Sequence, residues 1–200
     1  MLRVALTGGI ATGKSHVLQE FRKRGVPCLG ADDLAHGVTT AGTEATAQIA
    51  ERFGHEVLDS SGAVDRQKLG AIVFADSSAR RALEEIVHPA VYRAIAAGMR
   101  AFELLEHSPI VVADIPLLYE TGHSSDFDRV VVTVCPREMQ IRRLRERGMS
   151  QAEVEQRLAA QMSADEKALL ADYIIQTDDM IESTNAQVDQ ILEILKSSHP

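Results

Sequence analysis

Short apolar runs alternate along the chain with longer stretches in which apolar positions recur every three or four residues. That alternation predicts a strand–helix–strand order. Five β-rich runs fall at about residues 2–7, 26–30, 110–114, 129–135 and 172–176. Val130-Val131-Val132-Thr133-Val134 is apolar toward both faces, as a central strand covered on two sides should be. The expected fold is therefore α/β, a five-stranded parallel sheet flanked by helices. Between the second and third runs lie about 80 residues, too many for one crossover helix. Helical spacing covers Glu44 to Phe53, Asp65 to Phe74 and Ser77 to Glu106, with a loop at Asp59-Ser60-Ser61-Gly62. Residues of about 31–107 read as a helical insertion beside the sheet, a natural place for a second substrate. Pro89 is expected to bend or interrupt the longest helix near His88.

The sheet core is then about 1–30, 108–136 and 172–200, within one domain. A charged helical segment, about 137–171, carries Arg137, Arg142, Arg143, Arg145, Arg147, Arg157 and Lys167. Gly148 breaks it, and Ser150 followed by Glu153 predicts a capping box at the start of the next helix. A solvated face with i,i+4 ion pairs suits most of these cations. The functional alternative is a mobile lid whose arginines close on phosphates.

Residues 8 to 15 read Gly-Gly-Ile-Ala-Thr-Gly-Lys-Ser, a complete G-x-x-x-x-G-K-[ST] loop. The strand Arg3-Val4-Ala5-Leu6-Thr7 enters it, and helical spacing from Ser15 to Phe21 leaves it. The glycines let the backbone turn tightly and bring N–H groups against a polyphosphate, and the helix N-terminus adds its partial positive charge. Gly8, Gly9, Ala11, Thr12, Gly13, Lys14, Ser15 and His16 are the expected nucleotide contacts. Lys14 reaches toward the β- and γ-phosphates, and the Ser15 hydroxyl is a ligand for Mg²⁺. The expected cofactors are ATP and Mg²⁺.

Composition narrows the setting. A formal charge of −8 does not suit a surface built for nucleic acid or anionic lipid, so any phosphate site is locally positive against an acidic background. Cys28 and Cys135 both fall in apparent strands, with no metal-ligand spacing, and read as buried free thiols. No apolar run approaches the ~20 residues that span a bilayer. The expectation is a cytoplasmic protein with a small-molecule substrate, no nucleic-acid partner and no membrane.

Two acidic positions refine the class. Asp114 ends the run Ile110-Val111-Val112-Ala113-Asp114, where a carboxylate holds Mg²⁺ through water or caps a loop. Asp32 and Asp33 follow the second strand. Carboxyl ends of neighbouring parallel strands face one crevice, so an aspartate there is placed to take a proton from an acceptor hydroxyl. The same pair also suits an N-cap for a helix starting at Leu34. There is no Asn-Lys-x-Asp segment of the kind a GTPase uses to read its base. Small size, insertion and lid together point to a small-molecule kinase. A nucleotide kinase would need clustered arginines on its acceptor side, whereas residues 43–76 offer only Arg52, Arg66 and Lys68. A regulatory nucleotide-binding protein would have no use for a carboxylate at Asp32.

Several stretches together resemble the dephospho-CoA kinase family: Leu6-Thr7-Gly8-Gly9-Ile10 with Gly13-Lys14-Ser15, Ala31-Asp32, His88-Pro89, Asp114-Ile115-Pro116-Leu117-Leu118-Tyr119-Glu120, Gln140 to Arg147, and Gln161 with Lys167 and Ala171-Asp172-Tyr173. The resemblance implies phosphoryl transfer from ATP to the ribose 3′-hydroxyl of dephospho-CoA, the last step of coenzyme A synthesis. It implies Asp32 as general base and His88, Pro89, Leu117, Leu118 and Tyr119 on the acceptor side. Arg143 and Arg147, four apart and so on one helical face, are expected to neutralise charge on the transferring group. The chain departs from the family pattern in three places. Gly30-Ala31-Asp32 replaces Asp-Ala-Asp, His16 replaces a threonine, and Gln176-Thr177-Asp178 replaces Asp-Asn-Ser/Gly.

Overall fold

The computed structural model describes residues 1–105 and 108–197. The expected boundaries at Glu106 and His107, and the last three residues of the expected core, lie outside the described residues. Contacts divide the chain into two compact units, one of residues 1–29 with 101 onward and one of residues 30–100.

The first unit is built on the sheet. Its strands are β1 (Leu2–Gly8), β2 (Cys28–Gly30), β3 (Ile110–Asp114), β4 (Arg129–Val134) and β5 (Tyr173–Gln176), in the order β2-β3-β1-β4-β5. β1 runs parallel to β3, with Leu6 opposite Asp114, and parallel to β4, with Gly8 opposite Thr133. β1 is therefore central, and the chain leaves it at the point where the strand order reverses, the place where open parallel sheets hold ligands. One face is covered by α1 (Lys14–Lys23) and α9 (Ile181–Ser197); further along the chain come α6 (Arg137–Glu146), α7 (Gln151–Ala159) and α8 (Ala164–Ala168), of which α8 packs against β4. Leu2, Val4 and Leu6 of β1 pack with Val17 and Phe21 of α1 and Val188 and Leu195 of α9 in one core. Burying side chains of this size is worth about 1.5–3 kcal/mol each.

The second unit holds α2 (Ala31–Val38), α3 (Glu44–Phe53), a 3₁₀ turn at His55–Val57, α4 (Arg66–Ala75) and most of α5 (Ser77–Leu105). Its small core centres on Ile49, Val57 and Leu69, with Phe53, Val73, Leu83 and Val87 against them. Thr43 caps α3 through the Thr46 N–H, and Asp65 caps α4 through Gln67 and Lys68.

Three expectations change. α5 is one helix through Pro89, so of the two outcomes expected there the interruption does not occur. The lost N–H bond is local, and Ala90, Val91, Ile95 and Met99 beyond it are buried, so packing holds the helix on both sides. α2 begins at Ala31, with Gly30 as its extended N-cap, so Asp32 and Asp33 lie inside the first turn and neither caps a helix starting at Leu34. There they favour the helix dipole instead. Lys167 belongs to no solvated face, since it is fully buried. For Arg137 and Arg142 the solvated pattern holds. Arg137 pairs with Glu155 at 2.8 Å and Arg142 with Glu146 at 3.8 Å. The capping box of Ser150 and Glu153 forms, and a second, of Ser163 and Glu166, starts α8.

Candidate active site

The loop between β1 and α1 is held from outside by its own carbonyls. The Gly9 carbonyl accepts from the Thr12 hydroxyl at 2.8 Å, and the Ile10 carbonyl from the Gln140 amide at 2.7 Å. The Ala11 carbonyl accepts from the Arg143 guanidinium at 3.0 Å, and the Thr12 carbonyl from the Thr177 hydroxyl at 2.6 Å. The Ile10, Ala11 and Thr12 carbonyls are thus turned to side chains of other elements, while the Gly9 carbonyl also accepts the Thr12 N–H at 3.3 Å within the loop; the other loop amides are the ones left to form an anion-binding nest. The loop conformation is costly in isolation. Ala11 has φ +61°, in the left-handed region, at a cost of order 1 kcal/mol or more for a residue with a side chain. Gly13, at φ +86°, caps α1 with no side chain, and no acid stands in the first turn of that helix. The His16 N–H donates to the Gly13 carbonyl at 3.0 Å, so the Lys14 and Ser15 amides are the first-turn groups left to an anion.

Space forces the other two glycines. A Cβ on Gly8 would lie 2.2 Å from the Thr133 hydroxyl, and one on Gly9 would lie 2.7 Å from the Gln140 amide. Thr133 and Thr12 bond each other through their hydroxyls at 2.7 Å in a fully buried contact, which locks the loop to β4.

Lys14 opens α1 and its ammonium pairs with Asp114 at the end of β3, both side chains 14% exposed. The Ser15 side chain is exposed beside them. A serine hydroxyl and one carboxylate are hard oxygen donors. With no group of three or more His, Cys, Asp or Glu among the described residues, the set fits Mg²⁺ held mostly by phosphate oxygens and water. His16 does not point its ring at the loop, because Nε2 bonds the Asn185 side chain of α9 at 2.8 Å.

The two arginines expected to share a task separate. The Arg143 guanidinium is spent on the outer side of the loop, donating to the Ala11 carbonyl and to the Thr177 carbonyl at 2.6 Å, with Cys135 Sγ at 3.5 Å. It braces the loop rather than facing a transferring phosphate. Arg147 is the exposed C-cap of α6. Burial pushes the Cys135 thiol up from its ordinary value, and the Arg143 charge opposes this in part. Cys28 is half-buried and raised to about 11 by the same cause, so both thiols stay protonated and unreactive at neutral pH.

Sequence reasoning missed the role of Lys167. Its ammonium donates to the Pro116 carbonyl at 2.7 Å and pairs with Glu120 at 2.9 Å, and the Thr7 hydroxyl reaches the same carbonyl at 3.2 Å. Burial lowers its pKa from the usual lysine value, with Glu120 pulling the other way. Tyr119 donates to the Leu170 carbonyl at 2.9 Å, and its phenol is raised to about 12 by burial and by the charge of Asp172. The turn after β3 is thereby tied to α8 and the start of β5. Leu118 is fully buried and packs the interior, so it presents no surface to an acceptor, while Leu117 and Tyr119 are half-buried.

In the second unit, Asp32 is exposed in the first turn of α2, two residues past the carboxyl end of β2, and its carbonyl accepts from His36 Nδ1 at 2.9 Å. The Asp33 carboxylate folds back over Gly30, its Oδ2 2.9 Å from where a Cβ would stand. His88 is half-buried and Pro89 exposed on α5.

Comparison with known proteins places this geometry. A family model described as dephospho-CoA kinase matches residues 2–183. The chain is 45% identical to a dephospho-CoA kinase of Anaeromyxobacter dehalogenans over 194 residues, covering 96% of this chain and 92% of the relative. Among solved structures, a Thermus thermophilus protein superposes with a TM-score of 0.79 at 32% identity, covering 97% of both chains. A dephospho-CoA kinase from Campylobacter jejuni gives 0.75 at 27% identity and 98% of both.

Proposed function

The chain belongs to the dephospho-CoA kinase family, and from that premise we propose which of its residues carry the reaction. The reaction moves the γ-phosphoryl group of ATP to dephospho-CoA in coenzyme A synthesis. Dephospho-CoA lacks only the phosphate on its ribose 3′-oxygen, so that hydroxyl is the acceptor. A new P–O bond forms there, the β–γ bridge breaks, ADP leaves, and the hydroxyl proton passes to a base. The outward-held carbonyls of Ile10, Ala11 and Thr12 are the observation that carries this reading, because they leave loop amides to face a polyphosphate.

Lys14 turns from Asp114 to the β/γ-phosphates and neutralises charge that builds as the bond breaks. Ser15 and Asp114 are the residues that would hold Mg²⁺, which would supply charge neutralisation on the phosphates. Asp32 accepts the acceptor's proton. His88, Pro89, Leu117 and Tyr119 belong to the acceptor side. Gln140, Arg143 and Thr177 are positioning residues. α6 is fastened to the loop and α8 to the turn after β3, and the α7 stretch between them is anchored by the buried Val154 and by the exposed Arg137–Glu155 pair.

The direct test follows ADP release and product mass. ADP should form from ATP only when dephospho-CoA is present, with the product heavier by one phosphoryl group, and chelation of Mg²⁺ should stop it. Turnover with a nucleoside monophosphate in place of dephospho-CoA would overturn the assignment.

Bracing and direct phosphate contact give different kinetics at Arg143. Hydrogen bonds involving a charged group are worth about 1.5–3 kcal/mol, and each 1.4 kcal/mol is tenfold. Arg143→Ala should therefore raise the KM for ATP by about tenfold or more, and Thr177→Val should move it the same way. A drop in kcat with an unchanged ATP KM would place the guanidinium on the transferring group instead.

A further inference from the structure

One polar group close to the phosphate loop is left unsatisfied. Gln161 is half-buried, and its Oε1 is closed off from solvent yet accepts no hydrogen bond. Its Nε2 donates to no acceptor among the described residues. Buried polar atoms almost always find a partner, because leaving one without costs its full desolvation energy. The Gln161 amide therefore breaks no hydrogen bond when it turns toward a ligand, and it sheds that cost.

Its neighbours fix where it stands. Gln161 lies between α7 and α8, and the N–H of the next residue, Met162, donates to Glu120 Oε1 at 3.0 Å. The same carboxylate oxygen accepts from the fully buried Lys167 ammonium at 2.9 Å. Glu120 and Lys167 thus clasp the segment to the turn after β3. On the far side of Met162, α8 meets the loop itself, since a Cβ on Gly9 would lie 3.3 Å from the Ala164 methyl. Three residues span at most about 11 Å, so the Gln161 backbone is held within that distance of Ala164. Burial first, and the Lys14 ammonium to a smaller extent, lower the Lys167 pKa against the pull of Glu120, so the clasp lies within reach of the Lys14 charge. Gln161 is therefore held beside the end of the loop that Lys14 serves.

We propose that the Gln161 side-chain amide donates to the γ-phosphate of bound ATP, with Glu120 and Lys167 as the positioning residues that hold it there. The inference rests on the nucleotide reading of the loop. During transfer, charge spreads over the three equatorial oxygens of the γ-phosphoryl group, more than one ammonium can meet. A glutamine amide brings two N–H donors without adding charge. A hydrogen bond to an anionic phosphate oxygen is of the stronger, charge-assisted kind, and it replaces no bond in the free protein.

Gln161→Met tests this with no acceptor present. The full chain is titrated calorimetrically, with Mg²⁺, against ADP and against the β,γ-imido analogue of ATP. Loss of a hydrogen bond to a charged group should weaken the analogue about tenfold or more. ADP has no γ-phosphate, and its affinity should stay within about twofold of wild type. Ligand-free Gln161→Met should melt no lower than wild type, because the substitution removes the unpartnered oxygen. Gln161→Glu should show a larger loss for the analogue than Gln161→Met, since a carboxylate repels the phosphate that the amide would bind. An unchanged analogue affinity in Gln161→Met, or an equal loss for both nucleotides, would overturn the proposal. So would a lower melting temperature of that variant, which would show that the amide is already satisfied in the free protein. A wild type that binds neither nucleotide would instead overturn the reading of the loop. One that binds both but leaves dephospho-CoA unphosphorylated would overturn the acceptor assignment alone.

Discussion

Asp32→Asn is expected to lower kcat for dephospho-CoA phosphorylation by about 10²–10⁴, the usual worth of a positioned general base, with the KM for ATP near its wild-type value. The amide has the shape of the carboxylate and can still accept a hydrogen bond from the 3′-hydroxyl. It cannot keep the proton. Since phosphoryl transfer passes through a loose transition state with late proton movement, the lower half of that range is the sharper expectation. Asp33→Asn is the control. Asp33 shares the first turn of α2 but folds back toward Gly30, so it should lose only a dipole interaction of about 0.3–1 kcal/mol, visible in the melting temperature and not in kcat. Equal losses in kcat at both positions would mean the pair acts as a diffuse negative field, and neither is the base. Full activity of Asp32→Asn would remove it from catalysis.

The strands were legible because their signal is local. Val130 to Val134 is apolar toward both faces, and β4 runs through it with Val131 and Val132 fully buried. The phosphate loop was legible for the same reason, being eight contiguous residues. What braces it was not. Gln140 lies 130 residues from Ile10 and Thr177 lies 165 from Thr12, and no periodicity in either stretch announces those partners. Thr177 in fact stood out only as a departure from the family pattern, yet its hydroxyl and carbonyl tie the loop to Arg143. Lys167 misled because a lysine in a polar, well-capped helix looks solvated. Its burial depends on the Pro116 carbonyl and Glu120, which reach it from a different part of the chain. Arg143 and Arg147 share a helical face, but α6 ends at Glu146, so one guanidinium reaches the loop and the other stays in solvent. Spacing placed them on a side of the helix, and tertiary contacts decided what that side touched.

Lys14→Ala is expected to have the other large effect, lowering kcat by about 10²–10³ and raising the KM for ATP by about tenfold or more, as removal of a preorganised charge from a transition state does. Two causes act together. The ammonium that meets the β/γ-phosphates is gone, and Asp114 loses the Lys14 charge in a site where both side chains are only 14% exposed. With the ammonium gone, the net charge beside the loop is more negative, is screened weakly at that depth, and repels the incoming polyphosphate. The two causes separate in a double-mutant cycle, because the residues are in direct contact and their effects should not add. Lys14→Ala with Asp114→Asn should recover part of the ATP affinity lost in Lys14→Ala, since one negative charge beside the loop is removed, but none of the kcat. Recovery of kcat as well would show that Lys14 serves only to neutralise Asp114, and the catalytic cation would then have to be sought elsewhere around the loop. Simple additivity in KM would show that the ion pair is broken in solution before nucleotide arrives.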